Sequence, residues 1–129
     1  MTFGFIGTGN MGGALARAAA KAVAPANVFL YNRTMEKAAN LAQELGAKTA
    51  SAEDIAARCD YVFLGVKPGQ IPALLASLRP VLEGRETPAV VVSMAAGVTL
   101  KALRDKTFET CPIIRIMPNT ACAVGAGLT

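Results

Sequence analysis

The chain of 129 residues contains no histidine, and its carboxylates are scattered along the sequence rather than clustered. Hydrolytic triads, zinc sites and paired-carboxylate sites depend on those residue types, so we predict neither such a site nor a bound metal. The three cysteines, Cys59, Cys111 and Cys122, are spaced too unevenly for a disulfide framework or a zinc motif. Aromatic residues make up only 5% and the basic residues are dispersed, which argues against a nucleic-acid partner. The net charge of +4 suits a small anionic ligand better.

Long apolar segments are also missing. No run approaches the ~20 apolar residues of a membrane-spanning helix. No positive charge precedes Arg17, which argues against a secretory signal. We therefore predict a cytoplasmic protein with no membrane segment. With 53% hydrophobic residues the chain can bury one compact core, so we predict a single domain over residues 1–129.

Short apolar runs alternate with helical segments rich in alanine and leucine, which favours βαβ units. We predict an α/β fold, a doubly wound, mostly parallel sheet with helices on both faces. The runs at 61–66 and 89–94 carry no outward-facing charge, so both strands are expected to be buried on both faces. Thr34 and Ser51 are predicted to cap the helices that follow them, and Gly46 to end the first of these. Strands are predicted at 3–6, 28–31, 48–50, 61–66, 89–94 and 113–117, and the longer helices at 10–24, 35–45 and 71–82.

A G-x-G-x-x-G pattern lies between the first predicted strand and the helix after it, where this pattern indicates dinucleotide binding. Gly7 permits a tight turn, Gly9 lets the backbone approach a pyrophosphate, and Gly12 lets the helix pack closely on the strand. A glycine-rich turn without a ligand is the alternative. The candidate phosphate-binding residues are Gly7, Thr8, Gly9, Asn10, Met11 and Gly12.

The end of the second predicted strand lacks the acid that would bind the ribose 2′-hydroxyl of NAD. Asn32, Arg33 and Thr34 stand there instead. A carboxylate would repel a 2′-phosphate, whereas a guanidinium would bind it, so we predict NADP as the cofactor, with NADPH preferred over NADH. The alternative is a surface arginine beside a helix N-cap.

Three later segments follow strand ends on the same predicted edge of the sheet, where ligands of doubly wound folds bind. We expect them around the nicotinamide half of the cofactor. The alternatives are a solvated lysine, tight packing of small residues, and a turn after a proline. Cys122 lies near the last segment, but a packed small residue explains all three cysteines better. The candidate residues are Val66, Lys67, Pro68, Ala95, Ala96, Gly97 and Asn119.

Together, the motifs at 7–12, 32–34, 66–68, 93–99, 115–120 and 124–127 resemble pyrroline-5-carboxylate reductase. The resemblance spans nearly the whole chain. It implies a Rossmann-type NAD(P)-binding domain and an oxidoreductase that reduces the C=N bond of 1-pyrroline-5-carboxylate to L-proline, the last step of proline biosynthesis. It also implies a homo-oligomer built through a C-terminal helical dimerisation domain, which is absent from this sequence. We therefore assign no catalytic residue and expect the chain to bind nucleotide without turnover.

Two other functions share the first glycine motif. One is a different imine or 2-hydroxy-acid reductase, such as a β-hydroxyacid dehydrogenase, against which the later motifs argue. The other is a nucleotide-binding module that performs no chemistry.

Overall fold

The computed structural model describes residues 1–7, 10–93, 100–105 and 111–116 of the chain. Six strands form one sheet in the order β3-β2-β1-β4-β5-β6, and every pair of neighbours is parallel. This confirms the predicted doubly wound α/β fold. The strands are β1 (Phe3–Ile6), β2 (Val28–Tyr31), β3 (Lys48–Thr49), β4 (Tyr61–Leu64), β5 (Val90–Ser93) and β6 (Ile113–Arg115). The helices are α1 (Asn10–Ala22), α2 (Met35–Leu45), α3 (Ala52–Arg58), α4 (Ile71–Glu83) and α5 (Leu100–Asp105).

The strand order places helices on both faces of the sheet. From β1 the chain runs outward through β2 to β3, then crosses to β4 and runs the other way to β6. Because right-handed crossovers are almost universal, helices that connect strands in opposite directions lie on opposite faces. Accordingly, α1 and α2 pack over β1, β2 and β3, whereas α3, α4 and α5 cover the other face.

The two faces carry separate cores. On the α1–α2 face, Phe5, Val28 and Leu30 pack against alanines and leucines of the two helices. On the opposite face, strand residues such as Val62 and Leu64 pack against α3 and α4. The side chains of a strand alternate between faces, and β1, β2 and β4 contribute to both cores.

Strand β4 is less buried than its sequence predicts. Val62 and Leu64 are fully buried, but Tyr61 and Phe63 on the other face are only half-buried. The prediction of burial on both faces is therefore wrong for this strand. The apolar run predicted the strand correctly, but burial of its second face depends on a covering helix, and α1 lies over β1 and β2 instead.

Two of the three predicted caps have the expected geometry. The Ser51 hydroxyl accepts a hydrogen bond from the Asp54 N–H at 3.1 Å, and Gly46 has the left-handed conformation of a helix C-cap, with φ of 76°. Thr34 is the residue before α2, but its side chain accepts no capping hydrogen bond. Its backbone carbonyl accepts from the Lys37 N–H at 3.0 Å instead, which leaves the exposed hydroxyl outside the helix.

A pair of reciprocal hydrogen bonds fixes the start of β1 beside the start of β4. The Thr2 N–H donates to the Asp60 carboxylate at 2.8 Å, and the Asp60 N–H donates to the Thr2 hydroxyl at 3.0 Å. The first of these bonds holds the pKa of Asp60 below its usual value, because it stabilises the ionised carboxylate. The pair sets the register in which Phe3 lies beside Tyr61.

None of the described helices is long and apolar enough to cross a membrane. The longest, α1 and α4, have 13 residues each. At that length each spans about 20 Å, against about 30 Å for the hydrocarbon layer.

Replacement of Arg85 by methionine should destabilise the fold by about 2 kcal/mol, because the guanidinium bonds two partly buried carbonyls at the end of α3. Its Nη1 donates to the carbonyl oxygens of Ala56 at 2.7 Å and Cys59 at 2.6 Å. The measurement is urea unfolding. Arg79→Met is the matched control: Arg79 forms an exposed ion pair with Glu83 on α4, and its loss should cost less than about 0.5 kcal/mol. Equal losses would contradict the role of Arg85.

Candidate functional site

The carboxyl ends of β1, β2 and β4 meet at one edge of the sheet, hereafter the carboxyl edge. The Gly7 N–H donates to the Tyr31 carbonyl at the end of β2, at 2.8 Å. The Gly65 N–H, just after β4, donates to the Ile6 carbonyl at 2.7 Å. The segments 7–12, 32–34 and 66–68, which are predicted to bind one ligand, therefore start from strand ends that are hydrogen-bonded side by side. The strand order reverses between β1 and β4, which is where open α/β sheets bind ligands.

Gly7 lies directly against the backbone that follows β4. Its φ of +97° is a conformation that other residues rarely adopt. A Cβ at this position would lie 2.6 Å from the Gly65 carbonyl carbon and 2.9 Å from the Val66 nitrogen. The tight turn predicted for Gly7 is confirmed, since both the conformation and the space require glycine.

Gly12 lets α1 begin directly against this turn. A Cβ on Gly12 would lie 2.2 Å from the Gly7 carbonyl oxygen. This confirms the predicted close packing of the helix on the strand end. The N-terminus of α1, whose first N–H groups have no partner within the helix, lies at the carboxyl edge as a result. Asn10 and Met11 belong to this first turn by their backbone, and Thr8 and Gly9 lie outside the described residues.

The segment after β2 presents an exposed cation. Asn32 is half-buried, and its Nδ2 donates to the Thr34 carbonyl at 3.2 Å, which folds the chain back at this point. Arg33 and Thr34 are exposed. No ion pair joins the Arg33 guanidinium to any residue that the structure describes. The absence of an acid at the end of β2 and the exposure of Arg33 leave a positive charge close to the Gly7 turn.

The segment after β4 has one buried and one exposed part. Val66 is half-buried and packs against the core beneath the sheet, whereas Lys67 is exposed. The Lys67 carbonyl accepts from the Gln70 N–H at 2.9 Å, and the short helical turn Pro68–Gln70 leads into α4. The Val66 backbone therefore lies beside Gly7, whereas among the described residues no ion pair distinguishes Lys67 from a solvated lysine.

The remaining sequence candidates, Ala95, Ala96, Gly97, Asn119 and also Cys122, lie outside the described residues. The strands that precede them end at Ser93 and Arg115, which are paired across β5 and β6 at the carboxyl edge. Ser93 is fully buried, and the Nε of Arg115 is buried without a hydrogen-bond partner. Arg115 begins the motif at 115–120 but had no predicted role; a charged residue at the end of an otherwise apolar strand is the signal that points to it.

The described cysteines have no features of catalytic thiols. Cys59 and Cys111 are buried and not disulfide-bonded. Burial raises the pKa of Cys59 to about 11 and shifts the pKa of Cys111 upward as well, so both are thiols at neutral pH rather than nucleophilic thiolates. Within residues 1–7, 10–93, 100–105 and 111–116, no three His, Cys, Asp or Glu side chains cluster as metal ligands.

A parallel sheet of order 3-2-1-4-5-6, with a glycine turn and a helix N-terminus at its reversal point, defines a dinucleotide-binding domain of the Rossmann type. A family model described as NADP oxidoreductase, coenzyme F420-dependent, matches residues 2–97. The chain belongs to this family.

Similar proteins narrow the relationship further. The pyrroline-5-carboxylate reductase of Escherichia coli K12 is 39% identical over 129 residues, which is 98% of this chain and 47% of that protein. The structure of a pyrroline-5-carboxylate reductase from Coxiella burnetii is 30% identical and superposes with a TM-score of 0.87 over 95% of this chain and 46% of that one. A pyrroline carboxylate reductase from Plasmodium falciparum with NADP bound is 28% identical, with a TM-score of 0.79 over 97% of this chain and 45% of that one.

These similarities confirm the resemblance that the motifs predict. They also confirm that this chain corresponds to one part of those proteins. The chain spans about half the length of the curated relatives it matches, and the matched part is their N-terminal half.

Gly12→Ala should lower the free energy of unfolding by about 1 to 3 kcal/mol, because its Cβ would overlap the Gly7 carbonyl oxygen. In most helices the same change stabilises by up to about 1 kcal/mol, so the sign of the effect reports on the contact. Thermal or urea unfolding measures it. Gly69→Ala is the control, since a Cβ on Gly69 meets no atom within 4 Å. A stabilised Gly12→Ala protein would contradict the close approach.

Proposed function

We propose that residues 1–129 form the NADP-binding domain of a pyrroline-5-carboxylate reductase. The observation that carries the proposal is the cradle at the carboxyl edge, where backbone fills the space that a Cβ of Gly7 or Gly12 would need. A pyrophosphate can approach such a backbone closely, and the N-terminus of α1 supplies N–H groups and a positive dipole end for it. The relative from Plasmodium falciparum, whose structure contains NADP, supports the same cofactor.

Each part of the site has its own role in this proposal. Gly7, Thr8, Gly9, Asn10, Met11 and Gly12 hold the pyrophosphate. Arg33 binds the 2′-phosphate, and Asn32 supports it by the hydrogen bond that folds the turn back. An exposed guanidinium that forms no ion pair with the described residues is suited to this phosphate, which carries two charges that a fork of N–H donors can bind. Val66, Lys67, Pro68, Ala95, Ala96, Gly97 and Asn119 lie around the nicotinamide half.

The reaction of the whole protein is then the reduction of 1-pyrroline-5-carboxylate to L-proline in proline biosynthesis. NADPH, when bound, supplies a hydride to the C=N carbon of the substrate. The chain's own part is to hold the cofactor at the carboxyl edge and to orient it. We assign no catalytic side chain to these residues, because the relatives are about twice as long and their second half is available to build the substrate pocket. A homo-oligomer formed through that half, no nucleic-acid partner and a cytoplasmic location complete the proposal.

Arg33→Ala should weaken NADPH binding by about 10- to 100-fold, which corresponds to the loss of charge-assisted hydrogen bonds worth about 1.5 to 3 kcal/mol. NADH, which lacks the 2′-phosphate, should lose little affinity. Calorimetric titration of both nucleotides measures the difference. Lys37→Ala is the matched control, since Lys37 is an equally charged, exposed residue one turn into α2. Equal losses for the two nucleotides would count against the role of Arg33.

The 129-residue chain should bind NADPH and form no proline. The reason is that the proposed cofactor site lies within the chain, whereas the relatives carry a second half of similar length. The measurement is an NADPH titration, followed by an assay of proline formation from 1-pyrroline-5-carboxylate on the same sample. Turnover by the chain alone would show that the substrate site is already complete, and absence of nucleotide binding would overturn the proposal.

A further inference from the structure

Strand β6 ends in an arginine that is partly removed from water. Arg115 is half-buried, and its Nε is buried without a hydrogen-bond partner among the described residues. No ion pair joins its guanidinium to a described residue either. Apart from Ser93, the other residues of β5 and β6 are apolar. Removing a charge from water opposes folding, so a function explains this arginine better than stability does.

The backbone fixes the position of Arg115. This residue pairs with Ser93 across β5 and β6, and the Ile116 N–H donates to the Ser93 carbonyl at 2.9 Å. Because side chains alternate along a strand, Arg115 lies on the same face as Ile113, which packs against the core under α3 and α4. Its positive charge is therefore attached to the carboxyl edge by a strand whose register is set by β5.

The sequence places no acid next to Arg115. The segments that follow β5 and β6, residues 94–99 and 117–129, contain no aspartate or glutamate. The last two acids of the chain, Asp105 and Glu109, precede Cys111, which is about 13 Å from Arg115 along the chain. The other acids either precede β3, β4 or β5, at the amino edge of the sheet, or begin α2 and α3, on the β2–β3 side. The charge of Arg115 is therefore left without a neighbouring carboxylate.

Arg115 lies on the nicotinamide side of the cofactor site proposed above. In that proposal the cofactor crosses the carboxyl edge at the Gly7 turn, with its 2′-phosphate at Arg33 beyond β2, so its other end extends toward β4, β5 and β6. Neighbouring strands are about 4.8 Å apart, so a ring above the ends of β4 and β5 lies within about 10 Å of the end of β6. This placement rests on the proposed function.

The two redox forms of the cofactor differ in charge at this end. The nicotinamide ring is neutral in NADPH and carries one positive charge in NADP⁺, because it loses a hydride, which is two electrons and one proton. Two like charges about 10 Å apart, at an effective dielectric constant of about 20 to 50, change an affinity by about 3- to 15-fold. We propose that Arg115 sets the redox preference of the site. Its charge favours NADPH, which the reduction consumes, over NADP⁺, which must leave afterwards.

The test compares the affinities of the 129-residue chain for NADPH and NADP⁺, measured by calorimetric titration at low ionic strength. Arg115→Gln removes the charge and keeps N–H donors, whereas Arg115→Lys keeps the charge. Arg104→Gln is the matched control. Arg104 also supports β6, since its Nη1 donates to the Cys111 carbonyl at 2.6 Å, but this contact is at the amino edge of the sheet.

We expect the unmodified chain to bind NADPH more tightly than NADP⁺. Arg115→Gln should lower the ratio of the two affinities by about 3- to 15-fold, because the repulsion of the oxidised ring is lost. Arg115→Lys and Arg104→Gln should leave the ratio unchanged. A general loosening of β6 would weaken both nucleotides together, so the ratio separates the effect of the charge from a structural effect.

An unchanged ratio in Arg115→Gln would overturn the role of Arg115, and so would an equal fall in Arg115→Lys or Arg104→Gln. If the unmodified chain binds NADP⁺ at least as tightly as NADPH, the role is overturned without any variant having to fold. In all of these cases the nucleotides still bind, so the proposed function stands. Failure of the unmodified chain to bind either nucleotide would instead overturn the proposed function, and the role of Arg115 with it.

Discussion

The contact between the Gly7 turn and the end of β4 is the constraint on which the candidate site depends. Gly7 donates to the end of β2, lies against the Gly65–Val66 backbone after β4, and supports the first turn of α1 through Gly12. The ends of β1, β2 and β4 and the start of α1 are therefore in direct contact. No Cβ fits at Gly7 or Gly12 against this backbone, so these two described residues present backbone surface alone at this point. That is the surface a pyrophosphate requires, because a charged, bulky ligand can then approach the helix N-terminus directly.

The same reversal of strand order that creates this site also divides the sheet unequally. Helices α1 and α2 follow the chain from β1 toward β3, and α4 and α5 follow it from β4 toward β6 on the other face. Among the described helices, three cover one face, while the two on the other face lie over β1, β2 and β3. The half-buried state of Tyr61 and Phe63 is a direct consequence. The carboxyl edge, where the cofactor site is proposed, and the half-buried aromatic face therefore both follow from the crossover between β3 and β4.

Much of this arrangement could be predicted from the sequence, because the deciding signals are local. The Gly7 turn, the Ser51 cap and the left-handed Gly46 depend on a few neighbouring residues, and all three have the predicted conformation. Burial of Tyr61 and Phe63 could not be predicted, since an apolar run looks alike whether its second face meets a helix or solvent. Thr34 shows the same limit on a smaller scale. A hydroxyl before a helix can cap it, but here the turn held by Asn32 directs the chain differently.

Strand β4 links the two surfaces physically. Its first and third residues, Tyr61 and Phe63, line an apolar groove on the α1 side of the sheet, and Gly65 at its end packs against the Gly7 turn. Because hydrogen bonds on both sides fix the register of β4, the strand cannot shift without disturbing β1. The carboxyl edge and the half-buried aromatic face are therefore joined by one strand of the same sheet, and a change in the position of β4 would alter both.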